Sequence, residues 1–69
     1  MDISHMQKIS SAVFHKMGQP KIFNESAFQS AFESELRAQE IKKDVPEYPP
    51  LRSRVIREVR FFCQRKELS

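Results

Sequence analysis

The arginines of the C-terminal segment are the residues of this sequence best suited to binding chemistry. Five of them lie within RSRVIREVRFFCQRK, residues 52–66. Their guanidinium groups present fork-shaped sets of hydrogen-bond donors that match phosphates and carboxylates. If the segment is helical, most of these arginines share one face with an aromatic residue and a glutamine. The binding residues predicted from this face are Arg54, Arg57, Arg60, Phe61, Gln64 and Arg65.

Two adjacent phenylalanines in this segment are predicted to have different environments. Neighbouring residues point about 100° apart around a helix, so Phe61 and Phe62 cannot both lie at the centre of one face. Phe62 is predicted to belong to the core, whereas Phe61 falls among the arginines. The predicted core stripe comprises Val55, Ile56, Val59, Phe62 and Cys63. An exposed Phe61 could stack on a nucleic-acid base or fill a pocket of a protein partner. Alternatively, the face is simply solvated, and the N-terminal segment or a second copy covers Phe61.

Residues that commonly catalyse reactions or bind metals are few and scattered. Cys63 is the single cysteine, has no base or metal partner near it in sequence, and is predicted to be a buried small residue. His5 and His15 have no ligand-spaced neighbours. The chain has one glycine, so a glycine-rich phosphate loop is excluded. The sequence therefore predicts a non-enzymatic protein with no catalytic residue, cofactor, metal site or small-molecule substrate.

Length and composition are those of one small domain. The chain has 69 residues, of which 39% are hydrophobic and 30% charged, a balance typical of globular rather than disordered chains. No apolar run approaches the roughly 20 residues that span a bilayer, so no membrane partner is expected. The absence of a signal peptide favours a cytoplasmic or nuclear location. Residues 1–5, MDISH, resemble a cloning remnant, so the natural domain is predicted to be residues 6–69.

Capping and turn residues divide the chain into three amphipathic helices. Gly18 stands where a helix C-cap glycine is expected. Asn24 is a good N-cap, and Phe23 and Phe28 have the spacing of a hydrophobic staple. The prolines of DVPEYPP, residues 44–50, predict a stiff connector. The predicted fold is an all-α, three-helix bundle with helices at about 6–17, 25–43 and 51–66.

The middle helix carries a carboxylate near its apolar face. Its apolar row is Phe28, Phe32 and Leu36. Glu35 projects near the middle of that apolar arc, so it either reaches solvent past the neighbouring alanines or forms a partly buried ion pair. Arg52 of the last helix could reach it. Tyr48, in the connector, is predicted to pack its ring on the bundle.

Charge is segregated along the chain. Residues 6–23 carry a net charge of +3, residues 24–50 carry −3, and residues 51–69 carry +4. An acidic middle helix therefore stands between two basic ends, and the calculated pI is about 9.4. A basic chain of this kind can bind acidic proteins or nucleic acid.

Two functional hypotheses follow. We favour a protein-interaction module, an accessory or regulatory subunit or a docking domain, in which Phe61 anchors an acidic, apolar partner. Self-association as a homodimer is a variant, with the acidic middle helix of one copy meeting the basic helix of another. The alternative is a small nucleic-acid-binding protein that contacts the phosphate backbone, its basic face extended by Lys8, Lys16 and Lys21. The seven-residue connector does not fit a helix-turn-helix, which needs a turn of about three or four residues.

Overall fold

Three helices packed against one another form the molecule. The computed structural model describes residues 2–68, with side chains as far as Arg65. It contains α1 (Ile3–Lys16), α2 (Glu25–Ala38) and α3 (Tyr48–Leu68), and no strand occurs within residues 2–68. The predicted all-α, three-helix bundle is therefore confirmed.

The first helix begins earlier than predicted and ends where its glycine indicates. Asp2 is the N-cap, its carboxylate accepting a hydrogen bond from the Ser4 N–H at 3.2 Å. The helix therefore includes residues 3–5, and the origin of residues 1–5 in cloning stays a prediction. Gly18 follows the C-cap with φ +86°, and its N–H donates to the His15 carbonyl. A glycine suits this left-handed conformation because it has no Cβ.

The second helix has the predicted start but a shorter length. The Asn24 side chain accepts from the Ala27 N–H at 3.1 Å, as expected of an N-cap. The helix ends at Ala38 rather than residue 43, because Glu40 turns the chain with φ +58°. The Ile41 N–H then donates a hydrogen bond to a carbonyl in the last turn of α2, which satisfies an acceptor at the end of the helix. This ending lets the Ile41 side chain pack against the core, which a longer helix would not do.

The third helix begins inside the predicted connector. It starts at Tyr48, so Pro49 and Pro50 occupy its first turn. The first N–H groups of a helix have no helical partner, which makes prolines acceptable there. The Tyr48 ring is only 3% exposed, which confirms that it packs on the bundle.

The core draws on all three helices. Its members are Met6, Ile9, Val13 and Phe14 of α1, Phe28, Phe32 and Leu36 of α2, and Tyr48, Val55, Ile56, Val59 and Cys63 of α3. The Phe28 and Phe32 rings stack with centroids 5.8 Å apart, and Phe23 lies 5.6 Å from Phe28, as predicted for the staple. Cys63 is buried, as predicted. Because α3 contacts α1 on one side and α2 on the other, two surface grooves border it.

Candidate functional site

The outward face of α3 carries the residues expected to bind. We define this face as Arg54, Arg57, Phe61, Gln64 and Arg65, all of which are exposed. Phe61 is 61% exposed, so no described residue covers it, those of the N-terminal segment included. A large aromatic side chain exposed to this extent on a helix surface is unusual, because its burial would be favourable by about 1.5–3 kcal/mol.

Arg60, the remaining predicted binding residue, contacts α2 instead of standing free. Its guanidinium pairs with the Glu25 carboxylate at the start of α2. The same group lies over the Phe23 ring, 5.8 Å from the centroid. Both contacts hold the C-terminal half of α3 against the segment that leads into α2. Arg60 therefore has a role in the bundle that its position on the helical wheel did not reveal.

The charge of the outward face is partly neutralised within the molecule. Arg54 pairs with Glu58 one turn later, at 3.5 Å. The Gln7 side chain of α1 donates to both oxygens of the same carboxylate, at 3.1 and 3.2 Å. Arg57, by contrast, makes no ion pair among the described residues. The face is therefore less positive than the arginine count indicates.

Phe62 is not a core residue, so that prediction is wrong. It is 50% exposed, and its ring makes an edge-to-face contact with Phe14 of α1, with centroids 5.9 Å apart. The physical reason lies in α1, which presents the small side chains of Ser10 and Ser11 beside this position. These side chains leave the ring half uncovered, whereas a larger residue would have closed over it. Phe61 and Phe62 thus form an exposed aromatic pair.

The groove between α1 and α3 begins at Phe62. We call it the α1–α3 groove; it measures about 220 Å³ and is lined by Gln7, Ser10, Ser11, Phe14, Glu58, Val59 and Phe62. Its apolar floor consists of two aromatic rings and a valine. Among the described residues that line it, only Glu58 carries a carboxylate, which pairs with Arg54 and accepts hydrogen bonds from Gln7.

The groove between α2 and α3 has the opposite character. We call it the α2–α3 groove; it measures about 260 Å³ and is lined by Glu25, Gln29, Arg52, Ser53, Ile56, Arg57 and Arg60. Arg52 lies over the Tyr48 ring at 5.6 Å, and the ion pair proposed between Arg52 and Glu35 does not form. Glu35 instead pairs with Lys16 of α1 at 3.6 Å, so the alternative of a partly shielded ion pair is realised with a different partner.

The phenol of Tyr48 adds an unusual titrating group to the α2 side. Burial raises the pKa of Tyr48 above 10.0, and the nearby Glu33 carboxylate adds to the rise. The Arg52 guanidinium opposes both effects. Among the described residues no group makes a well-formed hydrogen bond to the buried hydroxyl, so Arg52 acts on it mainly through its charge.

A third exposed apolar residue lies at the same end of the bundle. The carbonyls of Pro20 and Lys21 lie 3.1 and 3.2 Å from the Cys63 sulfur, whose thiol donates to them. This contact holds the loop between α1 and α2 against the C-terminal half of α3. The next loop residue, Ile22, is 79% exposed. The loop between α1 and α2 therefore presents Ile22 to solvent beside the buried Cys63 side of α3, away from the face that carries Phe61.

The lysines expected to extend the basic face are dispersed. Lys16 forms an ion pair with Glu35, and Lys21 belongs to the loop beside Cys63. Lys8 is exposed on α1 and makes no ion pair among the described residues. It lines a shallow depression together with Ser11, which also lines the α1–α3 groove. Lys8 thus flanks that groove on the side opposite the arginines of α3.

Two kinds of site are missing from the described part of the chain. No three His, Cys, Asp or Glu side chains within it come together in a way that could hold a metal ion. Across residues 2–68, no helix combines the length and apolarity needed to cross a membrane.

Comparisons with models of known protein families, with curated proteins and with solved structures each returned no match.

Proposed function

We propose that this chain is a non-enzymatic protein-interaction module that binds a protein partner through the outward face of α3. The observation that carries the proposal is the exposed pair of aromatic rings, Phe61 and Phe62, on a helix that is otherwise arginine-rich. Aromatic and arginine side chains are enriched at protein interfaces and dominate the energetic hot spots within them.

The aromatic pair is well placed to act as an anchor. Phe61 projects from a helix that is fixed on one side by Gln7 and Glu58 and on the other by Arg60 and Glu25. A side chain on a rigid element loses less conformational freedom on binding than one on a loop, so more of its burial energy contributes to affinity. Beside Phe61, Arg57, which makes no ion pair among the described residues, supplies donors for a carboxylate at the rim of the interface.

Nucleic-acid binding remains the second candidate, supported by the exposed guanidinium of Arg57, which has no ion-pair partner within the described part of the chain. The arrangement favours it less, because Arg54 and Arg60 are each paired with a carboxylate of the chain itself. Phosphate contacts at these positions would have to displace Glu58 and Glu25. Backbone binding draws its affinity from the number of phosphates neutralised, so such competition weakens it.

Selection from a random peptide-display library tests the proposal, because such a library samples many partner sequences at once. The immobilised full chain is the bait, and the Phe61→Asp variant is used for counter-selection. We expect enriched peptides that lose at least about tenfold in affinity with Phe61→Ala. Ile22→Ala is the matched control, because Ile22 is also exposed but lies outside the outward face. A library that yields no Phe61-dependent binder would overturn the proposal.

Oligonucleotide titrations distinguish the second candidate. Single-stranded and duplex probes are titrated at two salt concentrations with the wild type, Phe61→Ala and Arg57→Ala. Under the proposal, binding is weak and disappears at the higher salt concentration. Tight binding that depends on Arg57 and persists at the higher salt would instead assign the face to nucleic acid.

A further inference from the structure

We infer that the partner presents an amphipathic helix with acidic flanks, and that this helix lies in the α1–α3 groove beside Phe61. The inference rests on the proposed function and specifies the partner's chemistry. Two features of the groove support it, its shape and the charges along its rims. A third observation argues against a second copy as the partner: the acidic side chains of α2 are already paired within the chain.

The shape of the groove suits side chains of a partner helix. Its volume of about 220 Å³ is below the range of roughly 300–1,000 Å³ typical of small-molecule pockets. Its floor is formed by Phe14, Val59 and Phe62, and Ser10 and Ser11 leave room on the α1 side for close approach. Residues 2–68 contain no strand, so an extended peptide has no sheet edge to join. Helix-in-groove binding uses side-chain contacts alone, which is what this surface offers.

The rims of the groove are positive on both sides. Lys8 flanks it on α1. On the α3 side the two positive charges of Arg54 and Arg65 exceed the single negative charge of Glu58, the one carboxylate among the described residues that line the groove. Glu58 itself is paired with Arg54 and hydrogen-bonded by Gln7, so the formal charge on this side is net positive. A partner helix with Asp or Glu on both sides of its apolar stripe would therefore meet a complementary charge on each rim.

A second copy of the chain fits this groove poorly. The acidic helix α2 would be the natural source of carboxylates, yet Glu25, Glu33 and Glu35 each form an ion pair within the chain. Pairing the outward face of α3 with itself would bring arginines against arginines, which is unfavourable. Charge complementarity thus selects a different protein over a homodimer.

Two designed peptides test the inference. Both are helical, about 18 residues long, with leucines at positions i, i+3, i+4 and i+7 of the central turns. One carries glutamate and the other lysine at every flanking position. Each is titrated into the isotope-labelled full chain and followed by NMR. We expect the glutamate peptide to bind at least about tenfold more tightly and to shift the signals of Ser11, Glu58 and Phe62 most strongly.

Variants with matched controls locate the site. Ser11→Trp fills the groove and should abolish binding, whereas Ser30→Trp changes an exposed serine of α2 that lines neither groove and should leave it intact. Lys8→Glu should weaken the glutamate peptide several-fold, and Arg37→Glu, an equal charge change on exposed α2, should have a much smaller effect. All four positions are exposed, and circular dichroism verifies that each variant is folded.

Three outcomes would overturn the inference. They are equal or tighter binding of the lysine peptide, no binding of either peptide, and binding unaffected by Ser11→Trp. Each leaves the proposed function standing if the display selection still yields Phe61-dependent binders. Sedimentation of the free chain tests a fourth outcome. If the chain is a dimer that Phe61→Ala dissociates, a second copy occupies the groove and the inference is overturned. Failure of the display selection itself would remove the proposed function along with the inference.

Discussion

The two grooves that border α3 differ in how the bundle is closed. On the α1 side the contact is apolar, a Phe62 ring edge against Phe14, and it leaves aromatic surface uncovered. On the α2 side the contact is polar and electrostatic, with Arg60 bridging Glu25 and the Phe23 ring. One helix thus offers an incompletely buried apolar surface on one side and, on the other, a charged surface that is partly paired within the chain.

This difference indicates which side is available to a partner. Charged groups that already have partners gain little from a new one, because the existing pair must first be broken and desolvated. Exposed aromatic surface gains on any contact that removes it from water. The comparison therefore favours the α1 side of α3 as the source of binding free energy, and the following substitutions test it in order of expected effect.

The largest effect is expected from Phe14→Ala. Phe14 is buried and forms part of both the core and the groove floor, so its truncation should lower the free energy of unfolding by about 3–5 kcal/mol. Phe62→Ala, on the other half of the same ring contact, should cost only about 1 kcal/mol because that ring is half exposed. Urea titrations followed by circular dichroism measure both. Equal losses would mean that Phe62 is a core residue and that the α1 side is closed.

The position of Phe62 also shows where sequence reasoning reached its limit. The helical period correctly placed Val55, Val59 and Cys63 in the core and Phe61 outside it, because those residues lie well inside or well outside the apolar stripe. Phe62 lies near the edge of that stripe. Its burial was decided by the size of the α1 side chains opposite, Ser10 and Ser11, and the pairing of helix faces cannot be read from one segment.

The helix ends and the ion pairs show the same limit. Local signals worked where the capping residue itself determines the geometry, as at Asn24 and Gly18. They failed at Glu40, which adopts a left-handed backbone conformation although it is not a glycine. This turn ends α2 and lets Ile41 pack on the core. Long-range pairs such as Arg60–Glu25 depend on the bundle geometry. The exposed candidate surface was thus predictable, whereas the internal pairing of its charges was not.

An intermediate effect is expected when the polar side of α3 is disrupted. Arg60→Ala removes both the ion pair with Glu25 and the contact with the Phe23 ring. Because the arginine and the glutamate are each about half exposed, a double-mutant cycle with Glu25→Ala should give a coupling of about 0.2–1 kcal/mol.

High salt should reduce that coupling, whereas the cost of Phe14→Ala should persist. Arg57→Ala is the matched control, since Arg57 makes no ion pair among the described residues and should not couple to Glu25. A coupling insensitive to salt would contradict the electrostatic description of the α2 side.

The smallest effect at neutral pH is expected from Tyr48→Phe. The ring stays buried, and the lost hydroxyl makes no well-formed hydrogen bond among the described residues, so stability at pH 7 should be unchanged or slightly higher.

The effect of Tyr48→Phe should appear at alkaline pH. The folded state raises the pKa of Tyr48 above 10.0, chiefly by burial, so it disfavours the phenolate that the unfolded chain forms readily. The free energy of unfolding should therefore fall as the pH rises above 10.0, and Tyr48→Phe should remove this part of the decline. Because Tyr48 is the only tyrosine, tyrosinate absorbance follows its titration directly, alongside thermal unfolding across the same pH range.

If the free energy of unfolding declined identically at alkaline pH in the wild type and in Tyr48→Phe, the phenol would be solvated in the folded chain. In that case the α2 side of α3 would be more open than its ion pairs indicate, and the contrast between the two grooves would lose its basis.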